Sequence, residues 1–249
     1  MTHRGIFNAL LVLWALPLAL EAQTLDQRIT AVRSGTVRLS FAARPGVCGD
    51  GGHNIEVNDD NDEWERDCDP QPVRVALKVQ NGRVTRIRSY VGGRWRTGVA
   101  ATDLGTVRPQ EAAAYLISLA EREHLSSGDP LLPATLADSV VIWPALLRIA
   151  RTPGMQHQTR RSAVFWLGQA AGAAAAQSLD SIAGDSTGDR EIRKHAVFAL
   201  SQRSNNEGVP ALLRIARSNP DPELRKSAMF WLGQSEDPRA LDLFEEILR

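Results

Sequence analysis

Apolar residues recur along this chain with two different periods, and the change from one to the other divides it. From Gln23 to about Gly105 the period is two. Thr36 to Ala42 alternates apolar and polar residues, and Val73, Val75, Leu77 and Val79 share one face of a second run; such alternation predicts half-buried strands. Asn81-Gly82 follows directly and predicts a hairpin, since both residue types tolerate the positive φ of a type I′ turn. Pairing Val79 with Val84 would set Arg86 opposite Leu77, so the pattern also predicts a bulge close to the turn. Beyond Pro109, which suits a first helical turn, the spacing becomes helical. Ala112, Tyr115, Leu116 and Leu119 fall on one face, and the pattern continues to Arg249, broken by clusters of Gly, Pro, Asp and Asn. The expected fold is mainly α: a helical region over 106–249 preceded by a small β-rich subdomain over 23–105.

Within the helical region the sequence repeats itself. RRSAVFWLGQ at 160–169, RKHAVFALSQ at 193–202 and RKSAMFWLGQ at 225–234 align without gaps, at steps of 33 and 32 residues. A second set keeps step with them: Leu146/Ile149/Ala150, Leu179/Ile182/Ala183, Leu212/Ile215/Ala216 and Phe244/Ile247/Leu248. Two amphipathic helices per unit at this period predict an α-solenoid, because one hairpin cannot bury its own apolar face and each needs its neighbours.

The motif basic-x-x-Ala-x-x-x-Leu-Gly, followed by a Leu-x-x-Ile helix, resembles the short HEAT repeats, in particular the phycobilisome-lyase-type HEAT-like units, over 143–249; residues 110–139 could form a degenerate further unit. The resemblance implies that the helix containing Arg160 lines a concave surface and that the helix containing Leu146 lies outside. It also implies that Arg160, Arg193 and Arg225 pair with acids in adjoining loops, Asp189 and Asp221 being the candidates. Where such repeats usually carry a polar residue, this chain has Phe165, Phe198 and Phe230. Each lies about 200° round the helix from Ala163, Ala196 or Ala228. With Trp166 and Trp231 these rings make a candidate partner-binding stripe, aromatics being enriched at interface hot spots; packing between repeats is the competing reading. Gln169, Gln202 and Gln234 close the same helices and are expected to stabilise the repeats by satisfying carbonyls at helix ends.

Charge and composition add less. The 29 basic and 29 acidic residues balance, which argues against sequence-independent nucleic-acid binding, normally driven by a basic excess. The balance is local too: nine acids and one base lie between Asp50 and Asp69, and seven bases with no acid between Val73 and Arg96. A calcium loop and an anion site are the sharp readings of these runs, and mutual neutralisation is the simpler one. Arg4 followed by the apolar stretch Ile6–Leu20 reads as a signal peptide over 1–22, so the protein is expected to be exported, periplasmic or secreted, without membrane insertion of the mature chain. In that setting Cys48 and Cys68 are expected to form a disulfide rather than half of a metal site. No metal or cofactor motif, nucleophile elbow or zinc helix is present. The chain is therefore expected to be a non-enzymatic scaffold that grips a protein or peptide on its concave surface. The alternative is an envelope enzyme with its site in 46–69.

Overall fold

A computed structural model describes residues 23–49, 56–57 (backbone), 71–122, 125–170 and 172–248. Residues 1–22, expected to be a signal peptide, Cys68 and most of the acidic stretch lie outside the described residues.

The chain opens with a helix that period-two spacing does not announce, α1 (Leu25–Thr30), held by a capping box in which Thr24 and Gln27 exchange side-chain-to-backbone hydrogen bonds. Strand β1 (Ser34–Ala42) follows, then the short pair β2 (Val47–Cys48) and β3 (Glu56–Val57), the hairpin β4 (Pro72–Gln80) and β5 (Arg83–Val91), and β6 (Thr102–Thr106). The main sheet runs β5-β4-β1-β6, antiparallel except for the parallel β1/β6 pair, and β2 pairs with β3 separately. Asn81 and Gly82 take positive φ in the two-residue turn. The bulge falls between Lys78 and Val79: Val79 faces Val84, and the extra residue on β5 brings Ile87, not Arg86, opposite Leu77. An apolar side chain is thereby restored to the buried face.

That face carries Val37, Leu39, Phe41, Val73, Val75, Leu77, Val79, Val84, Ile87 and Val91, all buried. Helix α2 (Pro109–Arg122) packs beneath it with Ala112, Tyr115, Leu116 and Leu119 buried, and α3 (Leu131–Thr135) follows. Two backbone stitches join these helices' loops to the sheet. Ser126 N donates to Thr85 O (2.7 Å) and Ile87 N to Ser127 O (3.1 Å), while Arg44 N donates to Leu136 O (2.8 Å) and Asp138 N to Ala42 O (3.0 Å). The region 110–139 thus serves as the sheet's cover, and the regular repeats begin after it.

The repeats are α4 (Trp143–Arg151) with α5 (His157–Gly168), α6 (Ala173–Gly184) with α7 (Arg190–Ser201), α8 (Val209–Ser218) with α9 (Pro222–Gly233), and finally α10 (Pro238–Leu248). Helices α5, α7 and α9 pack in series as one layer, and α4, α6, α8 and α10 form the other. The apolar triads of α4, α6 and α8 are buried as their period requires. In α10 the phase slips by one: Ala240 and Leu243 are buried, whereas Ile247 and Leu248 are exposed. Only three residues separate Gln234 from Pro238, against six between Gln202 and Val209, so the last helix enters the stack at a different rotation. The longer turn lies tight on α7, where a Cβ on Gly208 would come within 1.9 Å of Leu200 O. Buried residues of sheet and repeats form one continuous apolar core.

Candidate functional site

The 33- and 32-residue steps place equivalent side chains of α5, α7 and α9 in rows across one layer. Ala163, Ala196 and Ala228 are fully buried, small enough to let successive helices approach. Two residues on, about 200° round the helix, Phe165 is 42% and Phe230 59% exposed, while Phe198 is half-buried. Phe198 is covered by Trp231 (ring centroids 5.2 Å apart), which also meets Phe230 edge-on (4.9 Å). One contiguous aromatic cluster therefore spans α7 and α9. On α5 Phe165 meets Trp166 edge-on (4.9 Å), but Trp166 is turned inward, its indole N–H donating to Asp129 Oδ2 (2.8 Å). Asp129 also accepts from Ser162 Oγ and from Leu131 N, which ties the α2–α3 loop to the first repeat. Trp166 is thus a positioned structural residue beside the stripe, and Phe165, Phe198, Phe230 and Trp231 make up its surface.

One helical turn before the rings runs a row of cations, Arg161, Lys194 and Lys226. Arg161 Nε donates to His195 Nε2 (2.6 Å), and Lys194 approaches Glu191 at 3.5 Å. His195 is held below its usual range, burial acting first and the adjacent Arg161 charge second. One turn after the rings lie Gln169, Gln202 and Gln234, all exposed. Their capping is done by the backbone: each N–H closes its helix, as Gln169 N does onto Phe165 O (3.2 Å). The side chains form no ladder; the amide hydrogen bond present runs from Gln202 Nε2 to Ser201 Oγ.

Two of the three arginines named by the resemblance meet an acid as it implies; Arg225 instead meets backbone carbonyls. Arg160 Nε donates to Ala150 O (3.0 Å) and its Nη1 lies 3.5 Å from Asp189; Arg193 Nε donates to Ala183 O (3.2 Å) and its Nη1 lies 3.6 Å from Asp221. Arg225 Nη1 donates to Asn219 O (2.7 Å). Asp189 and Asp221 are at the same time the N-caps of α7 and α9, accepting from Glu191 N and Ile192 N and from Glu223 N. Arg160 therefore joins the end of α4 to the start of α7, and Arg193 the end of α6 to the start of α9. A further link is visible only in the structure: Arg203, buried in the turn after α7, donates to the carbonyls of Gly168, Ala170 and Gly172 and pairs with Glu207.

These capping acids make the stack sensitive to acid. Burial raises the Asp189 and Asp221 pKa values, but helix N–H donors and the neighbouring arginines outweigh it, so both lie below the ordinary carboxylate range. Asp237, before α10, is held at about 2, first by its hydrogen bonds with the Arg239 guanidinium. A carboxylate lowered on folding contributes stability that is present above its unfolded pKa of about 3.9 and lost as pH falls through the folded value. The urea midpoint should therefore fall most steeply between about pH 4 and pH 2, and Asp237→Asn should shrink that fall. A midpoint unchanged over this window would contradict the capping roles.

Among the described residues no group of three or more His, Cys, Asp or Glu is placed to hold a metal ion, and no helix is long and apolar enough to cross a membrane. His157 lies 3.8 Å from Asp189, on the stacking edge and away from the rings. Cys48 ends β2. The glycine-rich run 46–52 is described only to Cys48-Gly49.

A comparison with protein families matches the family of HEAT repeats at residues 143–229 and 185–249. No curated protein matches the chain. By its internal register, its two helix layers and this match, the C-terminal region, residues 143–249, has a HEAT-like two-layer helical repeat fold.

Proposed function

We propose that the chain is an exported scaffold whose α5–α7–α9 layer is the concave side of the solenoid and holds an extended polypeptide across the phenylalanine row. The observation that carries this reading is the exposure of Phe165 and Phe230 in register: two large rings kept in water at equivalent repeat positions are costly unless something covers them. Helices α5, α7 and α9 approach one another more closely than α4, α6 and α8 do, which supports curvature towards the aromatic layer. Adjacent inner helices lie about 10 Å apart, close to the span of three residues of extended chain. A partner in the polyproline II conformation, with three residues per turn and a rise of about 3.1 Å per residue, could therefore set every third side chain against a ring, with the Arg161/Lys194/Lys226 row along one side and the glutamines along the other. Export through residues 1–22 and a Cys48–Cys68 disulfide belong to the same proposal.

The test is capture of partners by the exported protein compared with a Phe165→Ser/Phe198→Ser/Phe230→Ser variant. Capture should fall at least tenfold, on the order of 1.4 kcal/mol or more from losing three aromatic contacts. Unchanged capture by a variant that still melts cooperatively would sink the groove. The second reading, an enzyme with its site in 46–69, has no observation in its favour among the described residues: a cavity of about 500 Å³ lies on the N-terminal sheet, but it is lined from β1, β4, β5 and the segment after β5, not from 46–69. Its charged lining consists of five guanidinium groups, beside one indole and one phenol. Guanidinium groups keep their protons at ordinary pH, so they bind and orient rather than relay protons.

A further inference from the structure

We infer that this cavity, on the open face of the sheet, is a binding site for a small multivalent anion carrying phosphate or carboxylate groups. Strand register builds it. On the face opposite the apolar core, Arg38, Ala76 and Arg88 stand side by side across β1, β4 and β5, and Ser40, Arg74 and Tyr90 form the next row. Ala76 is the floor, a small residue between two long ones, so the hollow exists because its neighbours rise as walls. The segment after β5 closes one side with Arg94, Trp95 and Arg96. Trp95 is held edge-on to Tyr90 (6.4 Å) and beneath the Arg38 guanidinium (5.4 Å).

The charges need an anion. Five guanidinium groups line the hollow, and among the described residues Asp103 is the acid paired with one of them, at 2.9 Å from Arg38 Nε. Like charges gathered on neighbouring strands destabilise a sheet. Arg74 adds a second, independent sign: its Nε is buried and has no hydrogen-bond partner among the described residues, an arrangement that costs free energy until an acceptor arrives. Planar guanidinium forks match the oxygens of phosphate and carboxylate. The volume is in the range of small-ligand sites, and Trp95 offers a flat apolar wall for whatever carries the charge.

Isothermal titration of the full chain tests this, with inorganic triphosphate and citrate as separate probes of the phosphate and carboxylate sources. At least one should bind at one per chain, and Arg88→Gln/Arg96→Gln, both at exposed positions, should weaken it at least tenfold. Trp95→Ala, which leaves every cation in place, should weaken binding of a ring-bearing probe such as benzene tricarboxylate more than that of citrate. Neither probe binding, or equal binding by the arginine variant, would overturn the site. So would binding seen only after Asp59, Asp60, Asp62 and Glu63 are changed to amides, because the chain's own acids would then be its occupant. A single-stranded oligonucleotide binding where both small anions fail would overturn it in favour of a nucleic-acid surface.

Discussion

Arg203→Leu is expected to destabilise the protein by about 3–5 kcal/mol. The side chain is buried in the turn after α7, and its two Nη atoms donate to three carbonyls, Gly168 O (3.2 Å), Ala170 O (2.8 Å) and Gly172 O (3.1 Å), that close α5 and lead into α6. Leucine fills the space but supplies no donor. The Gly168 carbonyl is buried and that of Ala170 partly so, each costing on the order of 1–3 kcal/mol when left unpaired; Gly172, which is exposed, and Glu207, partly exposed, recover their solvation in water. Arg203→Lys keeps the charge but replaces a planar fork with one compact ammonium, so an intermediate loss of about 1–2 kcal/mol is expected. Urea denaturation of the three proteins measures the order. A leucine variant within about 1 kcal/mol of the parent would mean that the first and second repeats are not coupled through this side chain.

Gly128→Ala is the second large effect, again about 3–5 kcal/mol by the mechanisms that produce severe losses. Gly128 takes φ +90°, and a Cβ there would stand 2.1 Å from Ile87 O and 2.7 Å from Ile87 Cγ2. The backbone cannot retreat without releasing the Ser126–Thr85 and Ile87–Ser127 hydrogen bonds. Asp129 is the next residue, so the displacement would also loosen its hold on Trp166 and Ser162. Hydrogen exchange at the Ile87 and Ser126 amides should accelerate by a hundredfold or more, about 2.7 kcal/mol of local opening. Unchanged protection at both amides would show that the loop adapts.

The two predictions mark where the sequence was legible and where it was not. Hairpin, bulge and repeat boundaries were readable because each depends on local spacing: Asn81-Gly82 fixes the turn, and the alternation of β4 against β5 demands the extra residue. The Arg160 and Arg193 linkages followed from the repeat and its resemblance, whereas Arg225 meets carbonyls rather than an acid. Arg203 did not, because repeat comparison draws attention to invariant columns, and its column reads Ala170, Arg203, Ser235; a staple used once leaves no period. Helix α1 had a signal, Thr24 and Gln27 three apart, that was overshadowed by the strand pattern after it. Strand β6, Thr102–Thr106, has almost no apolar alternation and is defined by its pairing with β1. In the candidate site, helical phase predicted outward rings for Phe165 and Phe230, whereas the burial of Phe198 under Trp231 and the Trp166–Asp129 bond depend on contacts between units that spacing does not encode. The arginines of the sheet were visible as a charge run; that Ala76 opens a hollow among them required the register.

The most direct test of the proposed interaction face is site-specific photo-crosslinking in cells that produce the protein. A crosslinking residue placed at Phe165 or at Phe230 should trap a polypeptide in a discrete band, and the same residue at Gln177, exposed on α6 in the other helix layer, should not. Equal trapping at all three positions, or trapping at Gln177 alone, would contradict the assignment of the phenylalanine row as the binding surface.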